Sequence, residues 1–501
     1  LGSLKQLASQ TLWYGVSNIA ARLLTYLLTP YLTYTLTSSQ GQVVFGQQGY
    51  LYSIIPLMNT LYTYGMETSF FRFSTTEDKN KLYRTQMSAM LVSTLLFSAI
   101  LWIFRGPVAE FAELGTHTEY VGWCAAIIGL DALSALPYAQ LRKDNRPRKY
   151  AFTKIIGIVV FITTIVFLFS FGDDMRNANP GGAFARWYDH HWGIGFILFA
   201  NVLQAIVTLL LLSKELSGYR PYIDKALLKK VLSYGLPILV AGFAGNINDS
   251  LNRVMFQKLY EAPAEESLRQ LGFFTAAIRL AVFINLANQA FRMAAEPFFF
   301  SISKQDNAKA TYARVMKWFV IIMGLMFLNI LLFMDVWKYF VAEEYRTAFH
   351  LVPVLLMSYI FFGIYSNLTV WYKLTDKTYY GTYIMFIGAA FTIIFNWLLI
   401  PTWGFNACAW GMLLCNVVMV FFSYVWGQRF YPVSYDVKRI SGYLAVMLLL
   451  FAAQYGLSNV IHFAAARMVV GVVLFCGYLA YIYKQERAEL KSFPIVGKFV
   501  K

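Results

Sequence analysis

Seven ionisable side chains sit inside runs of otherwise apolar residues: Arg22, Glu67, Asp131, Asp249, Arg279, Arg292 and Glu296. A charge at the centre of a membrane-spanning helix costs about 2.5–3.5 kcal/mol on insertion scales, so it normally faces protein or a water-filled cavity. Tyr14, Asn18, Arg22 and Tyr26 recur every four residues, which places them on one helix face. Asn285, Asn288, Gln289, Arg292 and Glu296 form a second polar stripe, and Asn246, Asn248 and Asp249 occupy a single turn. Amides in such stripes commonly hydrogen-bond neighbouring helices. Arg292 and Glu296 lie one turn apart, so a structural ion pair accounts for both. Arg22 and Arg279 have no opposite charge three or four residues away in the sequence. Two such guanidinium groups, with Arg292 in support, suit an anion such as a phosphate, which arginine grips bidentately. Asp131 and Asp249 suit a proton or coupling-cation site, with a structural role as the alternative.

The elements that carry these groups are long. The chain of 501 residues is 58% hydrophobic and only 14% charged, against about 25% charged in soluble domains. Spanning a bilayer takes about 20 mostly apolar residues, and fourteen such spans are expected, from 11–34 and 44–70 to 440–461 and 464–483. The fold class is therefore an all-α membrane protein. The runs are too long and unbroken for the alternating strands of a membrane β-barrel. The first run is too long for a signal-peptide core and is expected to be retained. The net charge of +16 is unevenly placed. Most Lys and Arg fall in alternate loops, the richest holding Arg142, Lys143, Arg146, Arg148, Lys149 and Lys154. That bias predicts cytoplasmic termini rather than nucleic-acid binding. Four cysteines fall within spans without metal spacing, and the five histidines fall in outer loops or at outer helix ends, read as solvated. No GxxxxGK[ST] sequence is present. No cofactor, no metal and no enzymatic chemistry are expected.

The chain repeats. At an offset of 229, Glu67 meets Glu296, Phe70 and Phe71 meet Phe299 and Phe300, Tyr83 meets Tyr312 and Met87 meets Met316; near the same offset, Arg142 meets Lys373. An even number of spans per half makes this a parallel repeat about the membrane normal. The expected organisation is a six-helix bundle over 1–213, a cytoplasmic hinge loop over 214–230, a second six-helix bundle over 231–427, and two extra helices with a tail over 428–501.

Three stretches resemble a known family. They are Gln289-Ala290-Phe291-Arg292 with Ala295-Glu296-Pro297-Phe298-Phe299, Leu136-Pro137-Tyr138-Ala139-Gln140-Leu141-Arg142, and Trp371-Tyr372-Lys373-Leu374-Thr375-Asp376-Lys377. With Asn396 to Ala409, they resemble oligosaccharide (O-antigen or polysaccharide repeat-unit) flippases of the multidrug/oligosaccharidyl-lipid/polysaccharide exporter superfamily. The resemblance implies two pseudo-symmetric six-helix bundles around a central cavity, working by alternating access in a bacterial inner membrane. It also implies a polyprenyl-diphosphate-linked oligosaccharide as substrate, among membrane lipids, with a polysaccharide polymerase as an expected partner. Arg22, Arg279 and Arg292 would then hold the diphosphate, while Asn18 and Tyr26 would contact sugar. Where relatives often carry Asp-Arg in the seventh span, this chain has Asn252-Arg253. A cation-coupled antiporter of organic cations or drugs on the same fold is the alternative.

Overall fold

The computed structural model describes residues 23–217, 219–303, 305–375, 377–461 and 463–492. Helix is the regular structure throughout them, as a backbone that must satisfy its own polar groups in hydrocarbon requires. In chain order the helices are α1 (residues 23–35), α2 (Ser39–Thr63), α3 (Met66–Phe73), α4 (Lys79–Ile103), α5 (Arg105–Phe111), α6 (Glu119–Lys143), α7 (Pro147–Ala178), α8 (Ala183–His191), α9 (Ile194–Leu211), α10 (Ser213–Leu216), α11 (Lys225–Leu259) and α12 (Ala264–Ile302). They continue as α13 (Ala308–Leu332), α14 (Met334–Trp337), α15 (Val352–Leu368), α16 (Val370–Leu374), α17 (Tyr379–Trp403), α18 (Phe405–Phe430), α19 (Val437–Ser458) and α20 (Ala464–Ser492). Eleven described helices are long and apolar enough to cross a membrane. Of the other three expected spans, the first is described only from residue 23, while α2 and α11 have the length, 25 and 35 residues, without belonging to the eleven.

The span expected over 44–70 is broken. Tyr64 takes φ 30 and Gly65 φ 74, so α2 stops and α3 restarts on a new axis. The left-handed turn favours glycine, and here space demands it too: a Cβ on Gly65 would lie 2.5 Å from the carbonyl oxygen of Gly235 on α11. Beneath the break Tyr62, Tyr64, Met66 and Phe70 pack with Met87, Met90, Ile128 and Leu136.

The chain divides into two compact units, one of residues 1–275 with 389–408, the other of 276–388 with 409–501. In the first, α7 packs on α9, α4 on α6 and α2 on α11. In the second, α13 packs against α15, α19 and α20. The sequence repeat reappears in the packing within each unit. Phe70 meets Tyr83 edge-on with ring centroids 6.2 Å apart, and their matched residues Phe299 and Tyr312 meet edge-on at 5.1 Å.

A buried ionic clasp joins α13 to the last two helices. Lys317 Nζ lies 2.6 Å from Glu486 and 2.8 Å from Glu489, and the Tyr443 hydroxyl donates to Glu486 at 2.6 Å. The Lys317 and Glu486 side chains are 7% and 1% exposed. The helix kinks at Glu486 (φ −114, ψ 16), where the clasp forms. Removing one partner of a buried pair costs about 3–5 kcal/mol, whereas replacing both by apolar residues is often neutral. Lys317→Met is therefore expected to lower stability in detergent by about that amount, and Lys317→Met with Glu486→Met to recover most of it. Equal unfolding midpoints for wild type and Lys317→Met would contradict the clasp.

Candidate functional site

In the first unit a polar cavity of about 480 Å³ opens among α2, α3, α6, α7 and α9. Its wall comes from two helical faces of identical spacing. Pro56, Asn59, Thr60 and Thr63, with Glu67 beyond the break, fall at steps of 0, 3, 4, 7 and 11; Asp131, Ser134, Ala135, Tyr138 and Arg142 on α6 fall at the same steps. Eleven residues make almost exact whole turns at 3.6 per turn, so α6 presents Asp131 and Arg142 on one face about 16 Å apart. Tyr150 and Lys154 on α7, one turn apart, and Gln204 on α9 complete the lining.

Charge in this cavity is balanced, with two acids and two bases. Arg142 hydrogen-bonds Glu67 through Nη2. Its guanidinium also lies 5.0 Å from the centre of the Phe71 ring and 5.9 Å from that of Tyr150. Lys154 Nζ stands 4.4 Å over Tyr138. Asn59 Oδ1 and Arg142 Nε have no hydrogen-bond partner in the protein. Buried polar atoms are nearly always satisfied, so this wall is built to meet water or a polar solute.

A smaller cleft in the second unit, holding about 20 Å³, is lined by Arg292 on α12 and Lys373 on α16. Ser366, Asn367 and Thr369 add polar groups to a wall otherwise formed by Phe291, Phe299, Phe300, Ala295 and Val370. Asn367 donates to the Gly363 carbonyl at 3.0 Å while its Oδ1 has no protein partner. Arg142 and Lys373, matched in the repeat, thus line the polar recess of their own units.

The sequence-predicted residues are distributed as follows. Asp131 lines the first cavity and Arg292 the second cleft. Arg279 is half-buried on α12 and is not among the residues lining either recess. Tyr26 is half-buried on α1. Asn18 and Arg22 lie outside the described residues, as do the side chains of Asp249 and Glu296. One stripe amide acts between helices: Asn288 Nδ2 donates to the Tyr359 carbonyl at 2.6 Å. Asn252, where relatives carry an acid, is 1% exposed and accepts from Asn396 Nδ2 at 2.7 Å.

The model of a family described as "Polysaccharide biosynthesis protein" matches residues 7–303, more than half of the chain. The chain belongs to that family. No curated protein matches it at a significant level. Among solved structures, a lipid II flippase, MurJ, in an inward closed conformation superposes with a TM-score of 0.68 at 12% identity, covering 94% of this chain and 99% of that one. An inward-facing multidrug resistance MATE family transporter of the MOP superfamily gives 0.55 at 13%, covering 86% and 95%. A mutant form of the Vibrio cholerae MATE transporter VcmN gives 0.55 at 13%, covering 85% and 96%. At these identities the likeness is one of fold.

For this member of the polysaccharide biosynthesis family, the sequence reading missed Arg142 and Lys154 as cavity residues, having counted them as loop charges. The signal was available: Asp131, Tyr138 and Arg142 share one helical stripe, and Lys154 follows Tyr150 by one turn. If the cavity is open to water, Thr63→Cys in a background without the native cysteines should react quickly with a small charged thiol reagent. Thr94→Cys, buried on α4 at 5% exposure, should react slowly. Equal rates would show that the cavity is closed to solvent.

Proposed function

We propose that this protein flips a polyprenyl-diphosphate-linked oligosaccharide from the cytoplasmic to the outer leaflet of a bacterial inner membrane, for O-antigen or capsular polysaccharide assembly. The observation that carries the reading is the family match over residues 7–303; the fold similarity to a lipid II flippase supports it. Two six-helix halves over 1–213 and 231–427, hinged at 214–230, would alternate access, with both termini cytoplasmic as the basic loops suggest. The pairing of Arg292 with Lys373 in one cleft suits a diphosphate, since charge-assisted contacts to phosphate are the strong ones. Arg22 and Arg279 remain proposed diphosphate contacts by residue type, with Asn18 and Tyr26 toward sugar. An apolar groove of about 480 Å³ between α13 and α20, lined by Trp318, Ile322, Leu325, Leu479, Ile482 and Tyr483, offers room for part of a prenyl chain. The membrane potential assists: an inside-negative potential is worth about 2.3 kcal/mol per charge per 100 mV and drives an anion outward. Asp131, and Asp249 by type, are the proposed coupling-ion positions.

A second reading, a cation-coupled antiporter of organic cations, draws on Glu67 and Asp131 in the first cavity and on the fold shared with MATE transporters. Proteoliposomes separate the two. With a fluorescent polyprenyl-diphosphate oligosaccharide, Arg292→Ala should weaken substrate binding about tenfold to a hundredfold, the worth of one hydrogen bond to a charged group. Arg292→Lys should keep part of it. Wild-type flipping by both Arg292→Ala and Lys373→Ala would remove the diphosphate assignment. Export of an organic cation that Asp131→Asn abolishes, without lipid flipping, would establish the antiporter instead.

A further inference from the structure

His117 and Glu119 lie at the entry to α6, and His190 is the penultimate residue of α8, 71 residues further along the chain. The fold brings all three together within the first unit. His117 Nδ1 is 2.9 Å and His190 Nε2 3.0 Å from the same carboxylate oxygen, Oε1 of Glu119. The three potential donor atoms all lie within 4.8 Å of one another.

We propose that His117, Glu119 and His190 form a zinc site that staples α8 to the start of α6. Zinc bonds of 2.0–2.2 Å in a tetrahedron put donor atoms about 3.3–3.6 Å apart, so each histidine-to-carboxylate distance needs to open by only a few tenths of an ångström, while the two imidazole nitrogens, within 4.8 Å of each other, would settle to the same spacing. Two imidazole nitrogens and one carboxylate oxygen suit zinc and its neighbours in the transition series; magnesium prefers an all-oxygen octahedron. The orientation of the donors is built into the surroundings. The His117 ring stacks on Tyr120 at 4.8 Å and 14°, and the Tyr120 hydroxyl is 3.1 Å from His191 Nδ1. His191 in turn packs against Trp123 and Trp187 at 4.9 and 5.3 Å. Such outer contacts hold ligating rings in place and are part of metal affinity. The His190 side chain is 58% exposed, which gives the ion a route from solvent and leaves the fourth position to water.

Mechanically, the bond would close a loop. From Glu119 the chain leaves along α6, returns along α7 and reaches His190 through α8, and Gly193 at φ 89 leads directly into α9. A metal bridge would fix α8 across that end of the unit. In the metal-free protein the same three side chains hold one another by hydrogen bonds, which zinc would replace.

The test uses the full chain in detergent, carried on a purification tag without histidine. Added zinc should raise the unfolding temperature of the wild type with one ion bound per chain, magnesium should not, and a chelator should reverse the rise. X-ray absorption should show two imidazoles in the zinc shell. His190→Ala, at an exposed position, should weaken zinc binding by more than the about 10–100-fold that loss of an outer contact costs, and His117→Gln should do the same. No zinc-dependent shift in the wild type, an equal shift with magnesium, or a zinc shift preserved in the His117→Gln/His190→Ala double variant would overturn the proposal.

Discussion

Burying a carboxylate or an ammonium away from water costs several kcal/mol unless a partner and further hydrogen bonds accompany it, and this cost orders the interior of both units. Glu215, with a side chain only 4% exposed, is gripped by Arg146 at 2.9 Å and Lys149 at 2.5 Å. Glu67, on α3 just past the break and more exposed at 41%, is met by Arg142 of α6. Asp335, on the short α14, takes two nitrogens of the Arg467 guanidinium at 2.7 Å and Lys338 at 2.9 Å. Burial alone would push its carboxyl up, but these cations outweigh burial and hold it below the usual range. Its contribution to stability is thus full at neutral pH and is lost progressively as pH falls from the ordinary carboxylate range through that depressed value.

The two polar recesses answer the same cost differently. The first unit's cavity balances its acids and bases and adds tyrosine and amide groups, a lining that hydrates readily and prefers no sign of charge. The second unit's cleft sets Arg292 and Lys373 in the same wall, so its described lining favours an anion. Residues matched by the internal repeat have kept their positions while their partners have changed. Arg142 has Glu67 beside it, and Lys373 shares its wall with Arg292.

Much of this was legible in the residues. Long apolar runs gave the helices, and the constant offset joining Phe70 and Tyr83 to Phe299 and Tyr312 foretold two copies of one ring contact. Asp131 was visible as a charge within an apolar run. Arg142 and Lys154 were not, because one ends α6 and the other lies two turns into α7 within a run of basic residues, where a basic residue serves equally well as a marker of loop side. The break at Tyr64-Gly65 lay hidden inside the span expected over 44–70, since Gly46, Gly49 and Pro56 sit in the same stretch without ending the helix, and a glycine there says little until another backbone is known to pass close by. The meeting of His117, Glu119 and His190 depends on how α6, α7 and α8 are arranged in space. A separation of 71 residues carries no periodic signal for it.

The clasp between Lys317 and Glu486 has a consequence for how the chain is made. The two residues are 169 positions apart, so a ribosome delivers the lysine to the membrane long before its carboxylate exists. Throughout that interval α13 carries an ammonium with no counter-ion from α20. It must wait at the insertion channel, lean toward a headgroup, or be shielded by a helper protein. The last two helices therefore complete an earlier helix as much as they extend the chain, and a ribosome stalled before α20 would leave behind a substrate for membrane quality control.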